Sequence, residues 1–391
     1  MRLALTSDQQ AFRDEVRDYF TSVYTPEIEE RVERDPVDVA AYRDLMRQFG
    51  ADGWLCPTWP VEIGGRGLSP VEQFIFFDET QRLRVPLPFL TTNTVGPTIA
   101  AFGSNAQQAY FLPRIVRGEC LFSIGYSEAG SGTDLASLTT RAVREGDDWV
   151  INGQKMWTSL IDRADHVWLA CRSDVDAPRH KGISIITVPT TADGFSWTKI
   201  NTIGGGITAA TYYEDVRVPV ANTVGEVHGG WRLMTSQLNH ERIALAASGP
   251  VRRRYDEVRR WAQRTKLADG RRVADQDHVQ RNLAEVRSLL EALRLLNWKV
   301  AWATSRERVD PKDASAMKVY GSEMSIRTWR LLMEVVGPMA LLTHDDDTAV
   351  LAGELDEEMR RAVVVTFGGG TNEIQRDIIA TMGLGMPRSP R

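Results

Sequence analysis

The spacing of apolar residues changes from helical to strand-like and back along the chain, which restricts the folds it can adopt. Up to about Gly118, apolar residues recur at the spacing of amphipathic helices, and beyond it short strand-like runs replace them. Pro219 ends the strand-like series, and the helical period returns at Trp231 and persists almost to the end. A length of 391 residues exceeds the size at which a single core stops growing, so several domains are expected. The pattern predicts an α+β protein with helical, β and helical domains in that order.

We place an N-terminal all-helical domain at 1–119, a middle β-domain at 120–226 and a C-terminal helical bundle at 227–391. The predicted helices of the first domain start with a capping box at Thr6–Gln9 and include Ala40–Phe49, Pro70–Leu83, Thr91–Phe102 and Asn105–Val116. The predicted strands are Leu121–Gly125, Leu138–Val143, Trp149–Asn152, Val167–Cys171, Ile183–Val188, Thr198–Ile203 and Thr211–Val218. The predicted C-terminal helices include the apolar stripe Leu283–Val300, then Met317–Val336, Glu354–Val365 and Glu373–Met382.

Charge and composition argue against several classes of partner. The net charge is -5, and no block of like charges forms a basic tail, so we expect a small-molecule ligand or a protein partner rather than nucleic acid. No apolar run has the length of a signal peptide or a membrane span, so a cytoplasmic protein without a membrane segment is expected. Cys56, Cys120 and Cys171 lack metal-ligand spacing; we expect buried, reduced thiols and no metal site.

The loop Gly125–Asp134 contains three glycines among hydroxyl and acidic residues. Glycines permit backbone conformations that bulkier residues avoid, and the amides and hydroxyls of such a loop can approach a ligand closely. Gly-rich polar loops are more often plain turns, and this one matches neither a P-loop nor a Rossmann fingerprint. The loop alone leaves both interpretations open.

Four separated motifs together resemble the acyl-CoA dehydrogenase family of flavoenzymes. They stand in the family's order and at its spacing: Tyr126–Asp134, Ile151–Ser159, His240–Arg242 and Phe367–Arg376. The resemblance implies a middle domain of barrel or sandwich type and a C-terminal four-helix bundle, with FAD held between them. It identifies the cofactor-binding residues as Ile124, Tyr126, Ser127, Thr133, Trp157, Thr158, Ser159, Thr371 and Glu373.

Several of these residues also have an ordinary structural interpretation. The resemblance places Trp157 against the flavin ring and Ser159 near flavin N5, whereas a tryptophan after a strand can equally be a core residue. Thr371 and Glu373 match positions at the start of the last helix, where free amides favour anionic oxygens, but both could simply cap that helix.

The family's reaction removes the α-proton of an acyl-CoA thioester and passes the β-hydrogen to flavin as a hydride. Most relatives place the catalytic carboxylate where this chain has Gly369, and a minority place it where this chain has Glu241. A lone glutamate on a helix is usually solvated, but the missing carboxylate at Gly369 favours Glu241 as the base. The family uses the amide at Gly369 to polarise the thioester carbonyl. The implied substrate-binding residues are Thr133, Asn239, Arg242 and Gly370.

Two segments differ from the family pattern where homomeric relatives reach the neighbouring subunit's FAD. This chain has Lys266 with Asp269–Gly270 in the first segment and Glu334 with Gly337–Pro338 in the second. Negative charge there would repel a pyrophosphate. The departure predicts a paralogous dehydrogenase partner in an α2β2 heterotetramer, with a homotetramer as the alternative. The family also implies an electron-transfer flavoprotein as electron acceptor.

Local strings are most similar to the base-carrying subunit of actinobacterial steroid side-chain dehydrogenases. They are Asn297–Trp298, Lys318–Glu323 and the tail Val364–Arg391, and they imply β-oxidation of a steroid side-chain CoA ester. Alternatives are a homomeric branched- or short-chain acyl-CoA dehydrogenase, a flavin monooxygenase of the same fold, and a non-catalytic subunit. The run Arg252–Arg254 could bind CoA phosphate, but a solvated helix face or a subunit contact is favoured.

Overall fold

The N-terminal part of the chain is all helical. The computed structural model describes residues 4–33, 37–235, 237, 248–306, 310–344 and 346–387. Up to residue 116, the described residues form six α-helices: α1 Ser7–Val23, α2 Pro26–Glu33, α3 Val39–Ala51, α4 Pro70–Arg82, α5 Gly96–Phe102 and α6 Asn105–Val116. Capping boxes start α1, α4 and α6, so the amides exposed at those helix ends have side-chain acceptors. The predicted box at Thr6–Gln9 is confirmed.

The structure adds α2 to the predicted helices and divides one of them. The predicted helix Thr91–Phe102 is a π-helical turn at Leu90–Val95 followed by α5. Pro97 stands in the first turn of α5, where a missing N–H costs little.

The middle part forms one mixed sheet. Its strands are β1 Phe122–Gly125, β2 Arg141–Glu145, β3 Asp148–Lys155, β4 His166–Arg172, β5 Ile183–Pro189, β6 Phe195–Asn201, β7 Ile207–Pro219 and β8 Thr223–Val224. They pair in the order β6-β7-β3-β2-β4-β5-β8, and β1 pairs with β4 in parallel. All seven predicted strands are present, and β8 was not predicted because two residues carry no alternating pattern.

Strand β4 shows why the sheet lies between two cores. Val167, Leu169 and Cys171 pack into a core within the middle domain, whereas Trp168 and Ala170 pack into the core of the N-terminal helices. Because successive side chains of a strand point to opposite faces, both faces of β4 are covered. The sheet therefore packs against the N-terminal helices and also carries the loop that follows β1.

The C-terminal part returns to helices. Residues 231–235 are helical, and α7 Gly249–Arg264, α8 Asp277–Thr304, α9 Pro311–Val336, α10 Glu354–Ala362 and α11 Asn372–Ile378 follow. Val286 and Leu290 of the predicted stripe on α8 are buried against Leu332 of α9. The predicted α+β class with helical, β and helical domains is confirmed, whereas the exact boundaries stay predictions. In the ranges given above, no helix is long and apolar enough to cross a membrane. All three cysteines are free and buried.

Candidate functional site

The loop after β1 is folded around Glu128. The backbones of Glu128 and Ser131 exchange hydrogen bonds of 2.7 and 3.1 Å. The Glu128 carboxylate accepts hydrogen bonds from the amides of Thr139 and Thr140 at 2.7 and 2.8 Å. The predicted cofactor loop is therefore a fixed turn whose shape depends on a carboxylate pointing inward.

A buried lysine joins this loop to the motif at Ile151–Ser159. Lys155 Nζ lies 2.8 Å from Glu128 Oε1 and donates to the carbonyl of Tyr126 at 3.1 Å. The Lys155 side chain is 0% exposed, so the pair lies away from water. Burial alone would raise the pKa of Glu128, but the Lys155 ammonium and the hydrogen bonds outweigh it and hold that pKa at about 2. Met156 N also donates to Ser127 O at 2.8 Å, so two motifs far apart in the sequence form one surface.

Trp157 stands at the edge of this surface and is not a core residue. It is 57% exposed, and its φ is 64°. A bulky residue with positive φ is strained and persists only where its surroundings hold it. An exposed indole plane held in this way fits a planar ligand, so the interpretation of Trp157 as a core tryptophan is wrong.

Thr158 and Ser159 point in different directions. Thr158 is buried; its amide donates to Ala209 O at 2.9 Å and its hydroxyl lies 3.3 Å from that of Thr211. Ser159 is exposed, and Ser123 Oγ donates to its carbonyl at 2.8 Å. The Ser159 hydroxyl donates to Thr208 Oγ1 at 3.3 Å, so its oxygen can still accept a hydrogen bond from a ligand, whereas the side chain of Thr158 is buried in the sheet.

The side chain of Tyr126 is engaged inside the protein. Its hydroxyl donates to Gln237 Oε1 at 2.6 Å and accepts from Trp168 Nε1 at 3.0 Å. Gln237 and Trp168 are both buried. The hydroxyl of Tyr126 is therefore occupied inside the protein, and its carbonyl accepts from Lys155. Gln237 was not predicted, because a single glutamine beyond the strands has no sequence signal.

The C-terminal motif is a glycine turn in front of α11. Gly369 and Gly370 have φ of 68° and 95°, which favour glycine. Thr371 caps α11, since its hydroxyl accepts from Ile374 N at 3.3 Å, and this leaves its O–H free to donate. Within the described ranges, the amides of Gly369 and Thr371 donate to no residue. The turn thus presents two backbone donors of the kind that a carbonyl or phosphate oxygen requires.

Lys318 of α9 holds this turn from behind. Its Nζ donates to Gly370 O at 2.7 Å, to Asn372 Oδ1 at 2.8 Å and to Thr366 O at 3.2 Å. Lys318 is 4% exposed. The sequence singled out Lys318–Glu323 as a subgroup string, but it did not indicate this contact.

The remaining predicted residues are placed in different ways. Asn239, Glu241 and Arg242 lie outside the described residues. Thr133 and Glu373 are exposed, and Ile124 lies in β1 opposite Trp168.

The two segments that depart from the family pattern make local contacts. Asp269 Oδ2 pairs with Arg271 at 2.8 Å, and Glu334 Oε2 accepts from Asn282 Nδ2 at 2.9 Å. Lys266 pairs through its backbone with Arg272. These contacts leave the predicted role in partner choice untested.

The arginine run on α7 is not a solvated face throughout. Arg254 is buried and pairs with Glu257 at 2.8 Å and with Glu354. Arg252 and Arg253 pair with Glu291 and Glu257 at 3.5 and 3.0 Å. The expectation of a solvated helix face is wrong for Arg254, because it is buried between Glu257 of the same helix and Glu354 of α10.

The residues present fit a flavin dinucleotide. An exposed indole beside an exposed serine suits a planar ring system with polar edges, and a fixed Gly-rich loop and the glycine turn supply backbone donors for its oxygens. Glu128 is paired inward, so it does not oppose an anionic ligand.

Comparison with known families covers most of the chain. The sequence matches the profiles described as Acyl-CoA dehydrogenase, N-terminal domain at 6–119, middle domain at 123–216 and C-terminal domain at 228–384. It is 50% identical to acyl-CoA dehydrogenase FadE26 of Mycobacterium tuberculosis (strain ATCC 25618 / H37Rv), in an alignment that covers 100% of both chains.

Two solved structures share the fold over the whole chain. A chain of the ChsE4-ChsE5 complex from Mycobacterium tuberculosis superposes with a TM-score of 0.94 at 51% identity, covering 100% of both chains. A chain of the structure described as Tcur3481-Tcur3483 steroid ACAD superposes with a TM-score of 0.93 at 47% identity, again covering 100% of both.

Proposed function

This chain belongs to the acyl-CoA dehydrogenase family and is an oxidoreductase acting on acyl-CoA, and we propose that its substrate is a steroid side-chain CoA ester that it dehydrogenates with FAD. The family consists of flavoproteins. The observation that carries the proposal for the substrate is the match, over the whole chain and at about half identity, to a chain of a structure described as a steroid ACAD. The resemblance of the local strings Asn297–Trp298 and Lys318–Glu323 supports the same substrate.

The cofactor would be held by both halves of the site: the middle half, formed by the middle domain, and the C-terminal half, formed by the glycine turn before α11. Trp157 and Ser159 stand at the exposed edge of the middle domain, and Thr371 and the loop Tyr126–Asp134 offer hydroxyls and amides. When bound, FAD supplies an acceptor for the β-hydride at N5. The protein's part is to hold the ring, orient the thioester against it and exclude water.

Glu241 takes the α-proton in this proposal. Gly369 has no side chain that could do so, and its amide donates to no described residue, which leaves it available to the thioester carbonyl. A glutamate enclosed by ligand and protein loses water, and this loss raises its pKa toward the range in which a general base works well. Asn239 and Arg242, beside Glu241 in the sequence, would contact the substrate together with Thr133 and Gly370.

We infer that the chain works in an α2β2 heterotetramer with a paralogous subunit. Among the solved structures that it matches, one is described as the ChsE4-ChsE5 complex and another carries the two names Tcur3481-Tcur3483. Apolar side chains near the glycine turn are exposed, among them Val363, Val364 and Phe367, as expected for a surface that another chain covers. An electron-transfer flavoprotein would reoxidise the cofactor.

The first test is to express the chain alone and together with the dehydrogenase subunit encoded beside it. Bound FAD per chain is measured, and flavin bleaching is followed without oxygen after addition of a steroid side-chain CoA ester or a fatty acyl-CoA. We expect about one FAD per two chains, only in the complex, with faster bleaching by the steroid ester. Full FAD in the lone chain would replace the heteromer by a homotetramer, and faster bleaching by the fatty acyl-CoA would remove the steroid substrate.

The second test is Glu241→Gln in the complex. Loss of the base is expected to lower kcat by about 10²- to 10⁴-fold while bound FAD stays unchanged. Glu214→Gln, at an exposed position of β7, is the matched control and should keep wild-type activity. Dehydrogenation at the wild-type rate in Glu241→Gln would refute Glu241 as the base.

A further inference from the structure

A cluster of buried polar side chains lies beneath the glycine turn. Lys318 and Ser322 of α9 meet Asn372 and Gln375 of α11, and all four are buried. Asn372 Nδ2 donates to Ser322 Oγ at 2.9 Å, and Lys318 Nζ donates to Asn372 Oδ1 at 2.8 Å. Buried polar groups are costly unless they are paired, so a cluster of this density requires a reason.

Among the described residues, the acceptors of the Lys318 ammonium lie on one short segment. An ammonium has three N–H donors, and here they find Thr366 O, Gly370 O and Asn372 Oδ1. The three acceptors flank Gly369 on both sides along the chain. Lys318 itself stands on a 26-residue helix, which is a rigid support for a turn.

The centre of the turn consists of two glycines. Gly369 and Gly370 both have positive φ, and glycine loses the most conformational freedom on ordering. A Cβ on Gly370 would lie 2.9 Å from Gln375 Nε2, so the turn packs directly on the cluster. The Gly370 carbonyl that accepts from Lys318 belongs to the same peptide group as the Thr371 amide. A cation at that oxygen therefore makes the amide a stronger donor.

We propose that Lys318 is a positioning residue for the dehydrogenation: its buried ammonium holds the turn so that the Gly369 and Thr371 amides meet the thioester and cofactor oxygens. This inference rests on the proposed function. Lys318 touches neither substrate nor cofactor in it and acts through the backbone. Without Lys318, we expect the turn to sample other conformations and the enolate oxygen to lose part of its stabilisation.

The test uses the assembled complex carrying Lys318→Met and an ionisable ligand, acetoacetyl-CoA. This thioester has an acidic α-proton, and its enolate gives a long-wavelength charge-transfer absorbance with oxidised flavin. We expect Lys318→Met to raise the apparent pKa of the bound ligand by about one unit and to lower kcat about tenfold, less than the loss of a direct oxyanion donor. KM and FAD content should change less than about threefold, because an effect on the developing oxyanion appears mainly in kcat.

Lys299→Met is the matched control, since Lys299 of α8 pairs with Asp313 of α9 at 2.8 Å but is exposed. It should leave kcat and the ligand's pKa at wild-type values. Asn372→Ala removes one of the three acceptors and should shift both quantities in the direction of Lys318→Met by a smaller amount. If the Lys318→Met complex does not assemble, Asn372→Ala provides the test of the proposal.

A purely structural role would lower the thermal midpoint without moving the ligand's pKa or kcat, and that result in Lys318→Met or Asn372→Ala overturns the proposal. A wild-type complex that binds no FAD, or whose flavin is bleached by neither the steroid side-chain CoA ester nor a fatty acyl-CoA, contradicts the proposed function instead. The two failures are therefore distinguishable.

Discussion

The two halves of the site each use a buried lysine to hold a glycine-containing segment, but the partners of the two lysines differ. Lys155 faces the carboxylate of Glu128 at 2.8 Å, whereas Lys318 donates, among the described residues, to two backbone carbonyls and an amide oxygen. An ion pair gives strong stabilisation only while both charges are present. The three oxygens that accept from Lys318 are neutral, so each of them loses a donor but strands no charge when the cation is removed.

The difference matches what each half has to do. Lys155 lies in strand β3, whose register with β7 is fixed by a ladder of hydrogen bonds, and the loop that it anchors has further contacts through Thr139 and Thr140. The turn at Gly369 has glycines at its centre and depends on α9 for its shape. The middle half is thus fixed by charge, whereas the C-terminal half is fixed by backbone contacts that can also transmit polarisation to an amide.

The largest expected effect is that of Lys155→Met. This change leaves the Glu128 carboxylate buried without its cation, and breaking a buried ion pair from one side costs about 3–5 kcal/mol. We expect the free energy of unfolding in urea to fall by that amount and bound FAD to be lost. The double variant Lys155→Met/Glu128→Gln should recover part of the loss, because it removes the stranded charge. A double variant as unstable as the sum of the two single variants would show that the pair is not coupled.

Low pH should also destabilise the middle half of the site. The pKa of Glu128 is about 2 in the folded chain, below its usual value of about 4.3, so the unfolded chain binds more protons between these values. The stability that this carboxylate contributes is fully present above about pH 4.3 and is lost as the pH falls toward 2. Thermal midpoints measured from pH 7 to pH 3 should fall less steeply in Glu128→Gln than in the wild type. Parallel curves would contradict the lowered pKa.

A smaller loss of stability is expected for Lys318→Met. It leaves neutral oxygens without a donor, at a cost of about 1–3 kcal/mol, and Asn372 Oδ1 keeps a contact with Ser322 Oγ at 3.2 Å. The free energy of unfolding in urea should therefore fall less than in Lys155→Met. A loss equal to or larger than that of Lys155→Met would show that the charge of the lysine's partner does not determine how much stability each half loses.

The smallest effect on stability is expected for Trp157→Phe, because Trp157 is 57% exposed. Its expected readout is the flavin: the visible circular dichroism of the bound cofactor should change, while the thermal midpoint of the complex without substrate stays within about 1 °C. Trp302→Phe is the control, since Trp302 on α8 is also 57% exposed and lies outside the proposed site. Equal flavin spectra in both variants would remove Trp157 from the cofactor site.

Much of the fold followed from local patterns. The change of period near Gly118 and the return at Trp231 located the sheet between two helical parts, and the capping box at Thr6–Gln9 marked the first helix. Such signals depend on neighbours within a few residues, so the sequence displays them directly. Short or irregular elements, such as β8 and the π-helical turn Leu90–Val95, were not predicted as separate elements, because they have too few residues to show a period.

The sequence by itself also determined which segments form the site, since its four motifs identify the family. Only the tertiary structure decided how these segments are held. Glu128 and Lys155 stand 27 residues apart, and Lys318 and Gly370 stand 52 apart. Pairing between distant buried groups leaves no periodic trace in a single sequence, and whether a side chain such as Trp157 or Arg254 is exposed or buried depends on which elements pack over it.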